Sequence, residues 1–231
     1  MRTRIASAAF ALTLAASAVV AAPGRAHGAG LYQVYEGTGW NIGDGNGVRY
    51  LDSKPWTIVF YDSTSRTKLT AYAKLTAAHV KAATGLTVTV TTTISKGATA
   101  CPTSHTIIMR LTSTVTRSNA SQCHTATGAA DGSRASIALG NWTTQIVNGQ
   151  HEIYRRKVIS HELGHSFGLT HPNTWTTNPS PLMRGDTWGG YTTATYADDY
   201  TPQDTTGFKN LVANRTKLRP LTLTPAKEST Q

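Results

Sequence analysis

The sequence predicts an α+β fold, with a mixed, mostly parallel twisted sheet packed against helices. Three observations lead there. Residues 56–94 read strand, helix, strand, an order that makes a right-handed crossover and a parallel pair. From about Glu152 to Gly168, Ile159, Leu163 and Phe167 recur every four positions, so a helix there has one face to pack on a sheet. The run Asp199-Tyr200-Thr201-Pro202-Gln203-Asp204 is a helix start. Thr201 can cap it, Pro202 suits the first helical position, and Asp204 faces the positive end of the macrodipole.

The chain opens with an export signal, residues 1–26. Met1-Arg2-Thr3-Arg4 carries the charge, Ile5 to Ala22 is uncharged and rich in Ala, Leu and Val, and small residues follow. A membrane anchor is the competing reading. The run is only moderately apolar and ends in Pro23-Gly24, so cleavage after Ala22 or Ala26 is expected. The mature protein is then expected to be secreted, with no stable membrane association.

Residues 27–55 read as an irregular N-terminal arm. Its cluster Gly43-Asp44-Gly45-Asn46-Gly47 is a turn signal. Asp44 and Asn46 are types that ligate calcium, but a hairpin turn accounts for them and calcium is not indicated. Trp56 to Asp62 is a first strand, rich in β-branched and aromatic residues. A helix from about Arg66 to Ala83 follows, with Leu69, Tyr72, Ala73, Thr76, His79, Val80 and Ala83 on one stripe. His79 on that stripe reads as a packed histidine. Gly85 stops the helix.

Leu86–Ile94 and Thr106–Leu111 are the next strands. Thr112 to Asp131 reads as loop, and Ser133–Gly140 as a fourth strand. Cys101 and Cys123 are the two cysteines of the chain. In an exported protein they are expected to form one disulfide, worth roughly 3 kcal/mol in the chain-entropy model. His105 and His124 flank it and read as surface residues; a second, structural metal site is the alternative. Residues 217–231 read as a disordered tail.

The formal net charge of +10 falls to about +7 once Arg2, Arg4 and Arg25 leave with the signal. The basic residues are scattered, apart from Arg155-Arg156-Lys157, which reads as a solvated helix face. Nucleic-acid binding needs a clustered basic patch, so it is not expected. A monomer is.

The chemistry concentrates in His161-Glu162-Leu163-Gly164-His165-Ser166-Phe167-Gly168-Leu169-Thr170-His171. His161 and His165 are one helical turn apart on one face, so both imidazoles can hold one zinc ion. Glu162 lies about 100° round the helix, able to reach a water on the metal rather than the metal itself. Gly168 lets the backbone leave the helix in a left-handed conformation, and His171 can then return as third ligand. Three protein ligands leave one position open, which is the layout of a catalytic site.

This H-E-x-x-H-x-x-G-x-x-H run resembles the metzincin zinc metallopeptidases at every fixed position. The resemblance covers most of residues 56–213 and is nearest to small secreted peptidases of the snapalysin type and to matrixin catalytic domains. It implies a zincin-like fold over residues 56–216, with an active-site helix and a small irregular C-terminal subdomain ending in a helix. It also implies a methionine turn below the metal, for which Met183 is the candidate; an ordinary core Met is the alternative. A thermolysin-like scheme needs a later Glu, and the only one after Glu162 is Glu228. Asp186 would serve an aspartate-liganded scheme, as in snapalysins, but His171 already stands at the metzincin spacing. Some metzincins carry a Tyr two residues after the turn Met; here that position is Gly185, with Tyr191 and Tyr196 further on.

The expected function is therefore a secreted zinc endopeptidase. Glu162 acts as general base, and an extended polypeptide lies along an edge strand near Ser133–Gly140. A non-enzymatic binding module on a peptidase fold and a zinc amidase acting on a non-peptide amide are the alternatives.

Overall fold

The structure, a computed structural model, describes residues 40, 47–96, 101–143, 151–172, 180–184 and 199–217. The expected signal and most of the N-terminal arm lie outside them. So do Gly185, Asp186, Tyr191, Tyr196, and the tail beyond Lys217.

Among the described residues, five strands form one sheet: β1 (Trp56–Phe60), β2 (Val88–Ile94), β3 (Thr106–Thr112), β4 (Asn119–His124) and β5 (Ala130–Ala138). Their order is β2-β1-β3-β5-β4. Pairing is parallel for β1 with β2, β1 with β3, and β3 with β5, and antiparallel for β4 with β5. The mixed, mostly parallel sheet expected from the sequence is present.

Helix α1 (Ser63–Thr84) makes the crossover from β1 to β2. It begins three residues before the expected Arg66, because the Asp62 side chain accepts from Ser65 N at 2.7 Å and caps it. Gly85 ends it in the left-handed region, φ +76°, with its N–H bonded to Lys81 O. Three further helices follow: short α2 (Leu139–Thr143), α3 (His151–Ser166) and α4 (Pro202–Lys217). Helix α4 runs beyond the expected end near Val212; its buried Leu211 and Asn214 hold the extra turn.

The core lies where α1, α3 and α4 meet the sheet. Trp56, Ile58 and Phe60 of β1, Ile107 and Met109 of β3, Leu69 of α1, Ile159 and Leu163 of α3, and Phe208 of α4 are fully enclosed. Part of the N-terminal arm belongs to it: Trp40, Val48 and Leu51 are buried. Tyr50 bridges to Ala129, and Leu51 N donates to Leu211 O.

Four expectations need correcting. The stretch Thr112–Asp131 contains β4. Its sequence NASQCH has no β-branched residue, so propensity does not announce it. Pairing along β5 and the Cys101–Cys123 disulfide hold it in place, the two Cα atoms being 5.8 Å apart. Strand β5 starts at Ala130, stops at Ala138 and lies inside the sheet, so the edge beside the site is β4. Lys157 is buried, not on a solvated face. Its neighbours do reach outward: Arg155 lies over Trp142 at 4.4 Å and Arg156 pairs with exposed Glu152.

His105 is the fourth correction. It is buried, with its ring edge-on to Trp56 at 5.1 Å. Asp52 Oδ1 lies 2.9 Å from its Nε2 without the alignment of a hydrogen bond. With His124 exposed, the two histidines beside the disulfide do not converge on a metal. His79 is the packed histidine expected, its ring tilted against Tyr200 at 4.6 Å and in hydrogen-bond contact with Thr205.

Candidate metal centre

Helix α3 presents His161 and His165 on the same face. Its end is built as the sequence requires. Gly168 takes φ +102°, its N–H donates to His165 O at 2.8 Å, and Leu169 N donates to Gly164 O. A side chain at Gly168 would also run into Val48, so this position needs glycine for space as well as conformation. The chain then turns, and His171 returns to the two helical histidines. Pro172, next along, bridges to buried Trp40 and fixes the return path.

The three Nε2 atoms face one another. They are 3.0 Å apart for His161 and His165, 3.2 Å for His165 and His171, and 3.3 Å for His171 and His161. Ligands on a tetrahedral zinc at about 2.0–2.1 Å are about 3.3–3.4 Å apart, so this set fits that ion with little adjustment. Among the described residues it is the only group of three or more metal-ligating side chains that converges.

Hydrogen bonds fix two of the tautomers. Nδ1 of His161 is 2.9 Å from Leu182 O, and Nδ1 of His165 is 2.7 Å from Leu169 O. A carbonyl can only accept, so each Nδ1 carries the proton and each Nε2 presents its lone pair inward. The electrostatics agree. Burial, and then the neighbouring His165, hold His161 well below the usual imidazole range. Burial brings His165 down to about 4. Both rings are therefore neutral, as ligands must be, at any moderate pH.

Burial goes from deep to open across the triad: His161 is enclosed, His165 half-buried and His171 exposed. The centre is thus reached from the His171 side. Glu162 is 4% exposed, and burial pushes its carboxyl up to about 8. A carboxyl so poorly solvated is a strong proton acceptor once ionised.

Met183 is fully buried in the turn Pro181–Arg184. Its thioether lies against the backbone of Gly164, between the two helical ligands. A Cβ at Gly164 would overlap Met183 Sδ and come within 3.0 Å of Cε. Met183, the candidate named from the resemblance, thus packs against α3. The disulfide partners Cys101 and Cys123 are joined.

Three further contacts hold α3 that sequence reading missed. Gln122 of edge strand β4 donates to His165 O at 2.8 Å. Tyr200 OH donates to Ser160 O at 2.6 Å, one residue before the first ligand. Ser133 of β5 donates to Ser166, which in turn donates to Glu162 O. None has a local signal; each joins residues more than thirty positions apart except the helical Ser166 back-bond.

No protein-family model matches the sequence, and no curated protein does. Among solved structures, an archaemetzincin from Methanopyrus kandleri is similar at 14% identity and a TM-score of 0.38, over 71% of this chain and 96% of that one.

Proposed function

We propose that the protein is a secreted zinc-dependent endopeptidase. The observation that carries the reading is the triangle of three converging Nε2 atoms, two of them on rings whose proton is fixed at Nδ1, with the buried carboxyl of Glu162 on the helix that carries those two. His161, His165 and His171 would hold the ion, and zinc there would supply Lewis acidity, lowering the pKa of water toward 7 and polarising a carbonyl.

The rest is work for the chain's own groups. Glu162 takes the proton from the attacking water and returns it to the leaving amine. Its burial keeps bulk water from competing for that proton. Among the described residues, strand β4 is the edge of the sheet nearest α3, tied to it through Gln122. An extended polypeptide can add there through backbone hydrogen bonds, which are indifferent to side chains. Secretion rests on the character of residues 1–26 and on a disulfide that needs an oxidising compartment.

The deciding experiment compares wild type, Glu162→Gln and His171→Ala for bound zinc and for cleavage of a denatured-protein substrate, with and without a chelator. Wild type should bind one zinc and cleave; Glu162→Gln should bind zinc and lose nearly all cleavage. Zinc binding without cleavage of any peptide would point to the binding module, and cleavage only of non-peptide amides to the amidase. A Glu162→Gln variant of near-normal activity would remove Glu162 from its role.

A further inference from the structure

The carbonyl that orients His161 belongs to Leu182, which lies in a short turn rather than in a helix or strand. A turn alone is a poor support for a ligand. One fully buried side chain supplies what the turn lacks. Asp204, in the first turn of α4, accepts from Leu182 N at 2.9 Å through Oδ2 and from Met183 N at 3.1 Å through Oδ1. Its Oδ2 also accepts from Thr201 N at 2.8 Å and Thr201 Oγ1 at 2.7 Å.

We propose that Asp204 is a positioning residue for the metal centre, fixing His161 through the Leu182 peptide. This rests on the zinc-site reading above and adds to it the group that holds a ligand in its tautomer. The chemistry is specific. A carboxylate offers two oxygens and no donor, so it can collect four N–H and O–H groups at once. The peptide units on either side of Leu182 are then pinned at both N–H groups, and the Leu182 carbonyl is left aimed at His161 Nδ1. Asparagine in the same place has one acceptor and one donor. In either orientation its amide N–H faces an N–H of the turn or of Thr201. The line from Asp204 to the ion passes through one peptide and one imidazole, the arrangement by which outer groups tune metal affinity 10–100-fold.

Asp204 also takes part in the cap of α4, since its own N–H approaches Thr201 Oγ1 at 3.3 Å. A purely structural role is therefore the rival account, and Thr201→Val separates the two. That substitution removes the hydroxyl from the cap and leaves both bonds from Asp204 to the turn.

The test measures zinc affinity by competition with a chromophoric chelator in wild type, Asp204→Asn and Thr201→Val. It also records the ring N–H signal of His161 by NMR in the metal-free proteins. Asp204→Asn should weaken zinc binding 10–100-fold and lose the protected His161 Nδ1–H signal; Thr201→Val should keep the signal and stay within about threefold of wild type. Equal losses in the two variants, or none in Asp204→Asn, overturn the proposal. Should Asp204→Asn fail to fold, amide exchange in metal-free wild type decides: the Leu182 and Met183 N–H groups must be protected, and exchange at free rates refutes the role. If wild type binds zinc no better than His161→Ala, the zinc-site reading fails by itself, while the ring signal and amide exchange still judge Asp204.

Discussion

Replacing Gly164 by alanine should destabilise the protein, although alanine is the better helix former. In an unhindered helix the change gains about 1 kcal/mol. Here the new methyl group would overlap Met183 Sδ and crowd Cε at 3.0 Å, with Tyr200 Cε1 at 3.5 Å behind. Met183 is 0% exposed and sits within the core cluster. Forcing a methyl group into a filled site costs about 1–3 kcal/mol, so the net change lies between about zero and 2 kcal/mol of lost stability. Met183→Ala alone should cost about 2–5 kcal/mol by leaving a cavity. With the thioether gone, Gly164→Ala recovers its full helical advantage and fills part of the hole. The double variant should therefore be about 1–3 kcal/mol more stable than the sum of the single losses predicts. Urea unfolding of the four metal-free proteins, disulfide intact, measures the cycle. A Gly164→Ala protein about 1 kcal/mol more stable than wild type would show that the methionine does not bear on the helix.

His171→Ala should weaken zinc binding by about 100-fold or more, beyond the range typical of outer groups, with little change in metal-free stability because the ring is exposed; chelator competition and a melting curve report the two. Breaking the cross-link with Cys101→Ala and Cys123→Ala should cost about 3 kcal/mol for a sequence separation of 22, and a urea midpoint unchanged by it would contradict a native disulfide. The metal-free protein should show a bell-shaped dependence of Tm on pH. The contribution of Glu162, whose carboxyl is raised from 4.5 to about 8, is full below the lower value and is lost as the pH rises through the upper one. That of His165, lowered from 6.5 to about 4, is full above 6.5 and is lost as the pH falls toward 4. Between about pH 4.5 and 6.5 the two opposing slopes cancel, so Tm should be level there and fall on either side, and Glu162→Gln should lack the fall from 6.5 toward pH 8. A fall that survives in Glu162→Gln would assign it to another group.

The convergence of the three histidines was legible because its determinants are local. Helical spacing puts His161 above His165, and only a residue free of Cβ makes the turn at Gly168, where Val48 also closes the space. Strand β1, with its β-branched and aromatic residues, was legible for the same reason, and so was α4 from Thr201 and Pro202. Strand β4 was not, since pairing and a cross-link make it a strand against the preference of its own residues. Lys157 and His105 were misplaced because burial of a charged or titratable group depends on neighbours far along the chain. Asp204 was legible only in part. Its place in a helix cap follows from a four-residue pattern, but its reach to Leu182 and Met183 depends on how α4 docks.

That reach has a consequence for timing. On the ribosome, residues 161–171 emerge well before α4, yet the carbonyl steering His161 stays unanchored until residue 204 has appeared and folded back. A half-made polypeptide then carries His161, His165 and His171 without the contact from Asp204 that holds the Leu182 carbonyl in place. The triad is thus completed late, after most of the chain has been made.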